Sequence, residues 1–201
     1  MNTLEYLKNR YNVDITKTSP TYIQANRLIE LPIIFKELGF KKGVEIGVYD
    51  GNFSEILCKE LPESTIYSID PWVWYPVARN FRPWWKYEPL FKITTERLSK
   101  YTNSIILRKT SIDAIKDFED ESLDFVFIDA DHRFQHIATD IAEWSKKVRK
   151  GGIIATHDFK KTRSGFVDTY WVVFAWTAAR KIHPWFVLNH IWEDSAFWVK
   201  T

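Results

Sequence analysis

The chain is poor in cysteine: Cys58 stands alone among 201 residues, which excludes an internal disulfide and fits a reducing compartment. Its neighbours Ile56, Leu57 and Leu61 make it read as a buried, inert thiol rather than a nucleophile. No apolar run approaches the length that spans a bilayer, and the N-terminal stretch lacks the apolar segment of a signal peptide. A cytoplasmic location with no membrane partner is the expectation. An excess of charge of one sign is also missing, because 28 basic residues face 26 acidic ones for a net charge of +2. That balance gives no electrostatic ground for a nucleic-acid partner. No internal repeat or low-complexity linker divides the sequence, so residues 1–201 read as one domain, long enough for a full core.

Aromatic residues, by contrast, are plentiful: ten Trp, nine Tyr and fourteen Phe. They suit a heavily aromatic core, with some left to line a pocket. Residues 1–40 read as a helical segment. Ser19-Pro20 looks like a helix start, with Ser as the cap and Pro in the first turn. Ile23, Leu28, Ile29, Ile33 and Ile34 follow, Pro32 interrupts them and Gly39 ends the segment. Strands and helices then alternate. The pattern predicts strands over 43–48, 65–70, 104–108, 123–129 and 153–157. It predicts helices over 52–61, 88–101 and 112–118, and another carrying Ile137, Ile141, Trp144 and Val148 on one face, ended by Gly151-Gly152.

Near-continuous apolar strands separated by helices predict an α/β fold, with a doubly wound, mostly parallel sheet covered on both faces. Residues 167–182 read as one helix, and 185–188 with 196–199 as an antiparallel hairpin at the sheet edge. The tryptophans from Trp171 to Trp198 suit either core or the interface of a homo-oligomer.

One further absence bears on function. Val44-Glu45-Ile46-Gly47-Val48-Tyr49-Asp50-Gly51 runs from a strand through two glycines into the next helix, a layout that cradles a small molecule. The glycine spacing is G-x-x-x-G and lacks the G-x-G-x-x-G that lets a backbone approach a pyrophosphate. An NAD-dependent oxidoreductase is therefore disfavoured, and a nucleoside ligand without phosphates, such as S-adenosylmethionine, fits better. A non-catalytic nucleoside-binding module is the remaining alternative. Ligands of such sheets bind beyond the carboxyl ends of the strands, where Asp70, Asp129 and His157 stand, with Asp131, His132 and Asp158 just after. Asp70 follows Gly47 by 23 residues and ends the next strand, where a carboxylate can accept from both hydroxyls of a ribose. A simple turn acid before Pro71 is the bland alternative.

In that order, Glu45-Ile46-Gly47-Val48-Tyr49-Asp50-Gly51, Ile69-Asp70, Phe127-Ile128-Asp129-Ala130-Asp131-His132 and Gly151-Gly152-Ile153-Ile154-Ala155-Thr156-His157-Asp158 resemble the class I S-adenosylmethionine-dependent methyltransferases, and among them methyltransferase family 24. The resemblance covers residues 43–159. It implies a single methyltransferase domain with a Rossmann-like, seven-stranded sheet whose last strand is reversed, and S-adenosylmethionine as cofactor. Glu45, Gly47 and Gly51 then correspond to the cradle of the methionine side, and Asp70 to the ribose ligand. Thr110 and Ser111 correspond to the adenine edge, with Asp113 as the alternative, and Asp129 to the acid facing the cofactor amine or the substrate. Tyr49 stands where many class I members carry another glycine, so its side chain would cover part of the cofactor.

Such an enzyme would methylate a small molecule, most simply at oxygen. An alcohol acceptor gains from a base, and His132 and His157 are the candidates beside Asp129, unless they serve as structural histidines. Asp129, Asp131, His157 and Asp158 could instead converge on a divalent metal: carboxylates and water suit Mg²⁺, and added imidazole also admits Mn²⁺ or Zn²⁺. The aromatic stretch from Pro71 to Tyr87, with Trp84, Trp85, Arg79, Arg82 and Lys86, reads as a lid over the acceptor or as a loop packed on the sheet.

Overall fold

Short apolar runs form the centre of the fold. In a computed structural model, which describes residues 2–73, 87–161, 167–190 and 194–201, they become β2 (Lys42–Ile46), β3 (Thr65–Ile69), β4 (Ser104–Leu107), β5 (Leu123–Ile128) and β6 (Val148–Thr156). With β1 (Thr21–Gln24), β7 (Phe186–Asn189) and β8 (Ser195–Val199) they make one sheet of eight strands in the order β1-β7-β8-β6-β5-β2-β3-β4. Neighbouring strands run parallel except at β8, which is antiparallel to both β6 and β7. Strand order reverses between β5 and β2, and a ligand crevice is expected there.

Helices cover both faces because the strands are apolar on both. On one face, α1 (Thr3–Arg10), α2 (Arg27–Glu37) and α3 (Asn52–Glu60) bring Leu7, Leu31, Phe35 and Leu57 onto Ile66, Phe125, Phe127 and Ile153. Phe35 stacks on Phe125 with ring centroids 3.9 Å apart. On the other face, Ile137, Ile141 and Trp144 of α6 (Phe134–Lys147) and Val172 and Val173 of α7 (Thr169–Ala179) pack on Val44, Ile46, Val126, Ile128 and Ile154. Each large side chain buried in this way contributes about 1.5–3 kcal/mol. The connection from β3 leads into α4 (Tyr87–Leu98), and that from β4 into the short α5 (Ser111–Ala114), continued by a 3₁₀ turn, Ile115–Asp117. Among the described residues no helix is long and apolar enough to cross a membrane.

The α/β architecture matches the sequence reading, with three corrections. The first concerns Ser19-Pro20, which does not start a helix. Residues Thr21–Gln24 instead pair with β7, and α2 begins at Arg27, where the Asn26 side chain accepts from the Leu28 N–H. Ser19 is occupied elsewhere: its Oγ accepts the Trp185 N–H at 3.0 Å and meets His183 Nδ1 at 2.8 Å. The N-terminal segment thus adds an eighth strand to the seven expected. Because β1 covers β7, the β7–β8 hairpin lies inside the sheet and not at its edge. The third correction concerns Val148 and Gly151-Gly152, which belong to β6 and do not end α6; α6 stops at Lys147. Of the C-terminal tryptophans, Trp185 and Trp198 are core, whereas Trp171 is half exposed.

Candidate functional site

The turn after β2 is held open by backbone conformation and closed by one carboxylate. Gly47 has φ +87°, and a Cβ placed on it would lie 2.2 Å from the Asp129 backbone oxygen, so only glycine lets the two strand ends meet here. Asp70, at the end of β3, accepts the N–H groups of Val48 and Tyr49 on Oδ2, at 3.0 and 3.1 Å, and that of Trp72 on Oδ1 at 2.7 Å. Burial pushes its carboxyl up to about 6, against the pull of the Trp72 and Val48 N–H bonds. The indole Nε1 of Trp72 and the Thr94 hydroxyl both donate to the Tyr49 carbonyl, at 2.8 and 3.0 Å. Asp70 and Trp72 therefore fix the loop between Gly47 and Gly51 from below. A carboxylate offers about four acceptor positions. Three are spent on backbone, so Asp70 can take one further donor rather than the pair of ribose hydroxyls expected.

Glu45 lies one pleat lower, fully buried on β2. The Ser54 hydroxyl donates to its Oε2, and Ser54 meets Ser68 at 2.6 Å. Burial pushes the Glu45 carboxyl up to about 8.

Beside this loop stands a cluster of acids and imidazoles. Asp129 follows β5 and His157 follows β6, with the Asp129 N–H bonded to the Ile46 carbonyl and the His157 N–H to the Ile128 carbonyl. His157 Nδ1 lies 3.2 Å from Asp129 Oδ1 and 3.4 Å from Asp158 Oδ1. His132 Nε2 lies 3.4 Å from Asp129 Oδ1 and 3.3 Å from Asp158 Oδ2. Burial works against the Asp129 anion, but hydrogen bonds from His132 and His157 outweigh it and hold the carboxyl down at about 2. His132 shows the converse: burial lowers its pKa, and Asp129 and Asp158 more than reverse this. Asp129, His132 and His157 each offer one ligand atom within 4.8 Å of the others, close enough for a single cation.

Other sequence candidates lie elsewhere. Asp131 does not join the cluster: the Arg133 guanidinium grips both its oxygens and His136 Nε2 stands 3.8 Å away, so the acid stabilises the turn into α6. Thr110 caps α5, its Oγ1 accepting from the Asp113 N–H and donating to Asp113 Oδ2. Ser111 uses its hydroxyl in the core, donating to Asp140 at 2.5 Å and accepting from Trp144 Nε1 at 2.8 Å. Each hydroxyl thus has its proton engaged within the protein and one lone pair left, and Asp113 Oδ2 accepts from Thr110. Cys58 is buried and its thiol pushed up to about 11, which fits an inert group. Of the aromatic stretch expected over the acceptor, residues 74–86 lie outside the described residues, while Trp72 is buried under the loop.

A family model described as a methyltransferase domain matches residues 44–159, from β2 through the acid–imidazole cluster. The chain belongs to this methyltransferase family. Solved structures of similar shape agree on the fold of this methyltransferase. An O-methyltransferase from Bacillus cereus, in complex with S-adenosylhomocysteine, is 18% identical with a TM-score of 0.65 over 100% of this chain and 91% of its own. The O-methyltransferase TomG from Streptomyces achromogenes, involved in tomaymycin synthesis and in complex with S-adenosylmethionine, is 13% identical with a TM-score of 0.68 over 100% and 91%. A curated sequence relative, the uncharacterized protein y4gI of Sinorhizobium fredii, is 33% identical over 73 residues, which span 36% of this chain but only 8% of that protein.

The sequence reading missed several residues that shape this loop and cluster. Ser54 carries no spacing signal, because it acts by closing a helix onto a strand end; Trp72 was read with the aromatic stretch and instead lies under the loop. Asp168 and Thr169 at the start of α7 hold the His132 turn: Asp168 donates its N–H to the His132 carbonyl and accepts from the Phe134 N–H. Arg27, buried beside Glu45, was not singled out either, since nothing in its local pattern separates it from a surface helix residue.

Proposed function

We propose that this protein transfers a methyl group from S-adenosylmethionine to an oxygen atom of a small molecule, with His157 taking the acceptor's proton. The observation that carries the reading is the environment of His157: Nδ1 faces Asp129, while Nε2 is buried and has no partner among the described residues. A buried imidazole nitrogen is rarely left without a partner unless a ligand provides it. Relatives of the same fold crystallised with S-adenosylmethionine or S-adenosylhomocysteine support the choice of cofactor.

The residues of the crevice fit that cofactor. Gly47 lets the ends of β2 and β5 meet at the switch point, and Asp70 keeps one acceptor position for a ribose hydroxyl. When bound, S-adenosylmethionine supplies an electrophilic methyl group on a cationic sulfur. The protein's part is orientation and proton removal. Asp129, ionised throughout the neutral range, accepts the Nδ1–H of His157 and so leaves Nε2 as the proton acceptor. His132, tied to both Asp129 and Asp158, positions those carboxylates. Rigid placement of the reacting groups can itself contribute about 7–11 kcal/mol to the rate.

A second reading rests on the same cluster. The imidazoles of His132 and His157 with the Asp129 carboxylate suit Mn²⁺ or Zn²⁺ better than Mg²⁺, because imidazole replaces the carboxylate expected from Asp131. An ion held there would lower the pKa of an acceptor hydroxyl.

The test is release of S-adenosylhomocysteine from S-adenosylmethionine with a panel of catechols, phenols and sugars as acceptors. The base reading expects His157→Ala to lower kcat by about 10²–10⁴, with a chelator leaving turnover unchanged. Loss of turnover with chelator, restored by Mn²⁺ or Zn²⁺, selects the metal reading. No turnover with any acceptor and donor would overturn both.

A further inference from the structure

We infer that Arg27, the first residue of α2, binds the carboxylate of the cofactor's methionine moiety. The inference rests on the cofactor assignment above and adds a residue to it. Arg27 is 9% exposed, and its Nε and Nη1 are buried without an acceptor among the described residues. Its guanidinium lies over the rings of Phe53 and Phe127, at 5.3 and 5.4 Å from their centroids. Arginine stays protonated under all physiological conditions, so the charge cannot be shed as a buried lysine would shed it. A buried cation whose only close contacts are aromatic faces is incomplete, and its two unspent donors call for an acceptor, best an anion.

Glu45 does not fill that role. Its Oε2 accepts from Ser54, and although the Arg27 charge pulls on its carboxyl, no hydrogen bond reaches it from the buried Arg27 Nε or Nη1. The position of the guanidinium points instead to a ligand. In the β2–β5 register Glu45 stands opposite Phe127, and alternation along the strands sets Glu45, Gly47, Phe127 and Asp129 on the face that carries Phe53. His157 shares that face, with its ring centroid 6.3 Å from that of Phe127. Arg27 is therefore one pleat below Gly47 and Asp129, under the turn where strand order reverses. Two kinds of unpartnered polar atom, the Arg27 donors and His157 Nε2, converge on this side of the sheet. A planar carboxylate matches the planar donors of a guanidinium, and the cofactor has one carboxylate, at its methionine end.

Calorimetric titration with S-adenosylhomocysteine and with its decarboxylated analogue, which keeps the amine and the nucleoside, tests the assignment. Wild-type protein is expected to bind S-adenosylhomocysteine at least tenfold more tightly than the analogue. Arg27→Met is expected to weaken S-adenosylhomocysteine at least tenfold and leave the analogue within twofold, closing the gap. Equal weakening of both ligands, or no change in either, would overturn the inference while leaving the cofactor assignment intact. Wild-type protein that binds neither ligand removes the cofactor assignment and the inference with it. Should Arg27→Met fail to fold, Arg27→Lys decides: a narrowed gap supports the role, and an unchanged gap overturns it.

Discussion

Gly47 and Asp129 touch through their backbones: the space for a Gly47 side chain is taken by the Asp129 carbonyl, 2.2 Å from where its Cβ would be. Both residues end strands flanking the reversal of strand order, so the contact sets the floor of the crevice. Gly47→Ala combines this clash with a φ of +87° and is expected to cost about 3 kcal/mol. For a domain of this size that lowers Tm by about 6–12 °C. Thermal unfolding followed by circular dichroism checks it, and a shift under 2 °C would mean the strand ends can part freely.

Asp70 links the loop to β3 through three backbone N–H groups. Asp70→Asn replaces one acceptor oxygen by a donor, which puts an N–H against an N–H. A stability loss of about 1–3 kcal/mol follows from the unpaired groups. Because the carboxyl sits near 6, protonation below that value turns one acceptor position into a donor and opposes the fourth N–H or O–H it would accept. Affinity for S-adenosylhomocysteine in the wild type should therefore weaken between pH 7 and pH 5, whereas Asp70→Asn should bind weakly with a flat profile. Calorimetry across that range reads both.

Glu45 gives a pH dependence of the opposite kind. Its carboxyl is raised in the folded state to about 8, from the ordinary value of 4.5. Between these values the native state keeps a proton that the unfolded chain has released, so stability contributed by this group falls as pH rises. Glu45→Gln cannot ionise and escapes the fall. The stability of Glu45→Gln relative to wild type should rise from pH 5 to pH 8 in urea unfolding, and a constant difference would show that Glu45 ionises freely when folded.

Ser111 joins α5 to α6 by donating to Asp140 and accepting from Trp144. Removing the hydroxyl leaves a buried acid and a buried indole N–H unsatisfied. Ser111→Ala is expected to cost about 2–4 kcal/mol, read by chemical denaturation. Its affinity for S-adenosylhomocysteine should stay within twofold of wild type, since the hydroxyl is spent in the core.

Whether a feature was legible in the sequence depends on how local its signal is. β2, β3, β5 and α3 were legible because hydrophobic periodicity and the Gly47–Gly51 turn are local. The start of the N-terminal helix was misread: Ser19-Pro20 carries a cap signature, yet pairing of Thr21–Gln24 with a strand 165 residues away outweighed it. The strand-end positions of Asp129 and His157 could also be read along the chain, whereas the partners of each side chain could not. Asp131 and His132 are adjacent, and the sequence placed the acid among possible metal ligands and the imidazole among possible bases. Arg133, two residues on, claims Asp131 and leaves His132 to turn inward. Arg27 depends on the meeting of α2 with β2 and β5, a contact invisible to any local pattern.

A crystal structure of the protein with S-adenosylhomocysteine decides where the cofactor lies. The adenosyl group is expected over the ends of β2 and β3, with one ribose hydroxyl donating to Asp70 and the sulfur on the side of His157. Ligand bound instead in the hollow of about 460 Å³ lined by Lys17, Phe174, Lys181 and Trp185, with the Gly47–Gly51 turn bare, would contradict it.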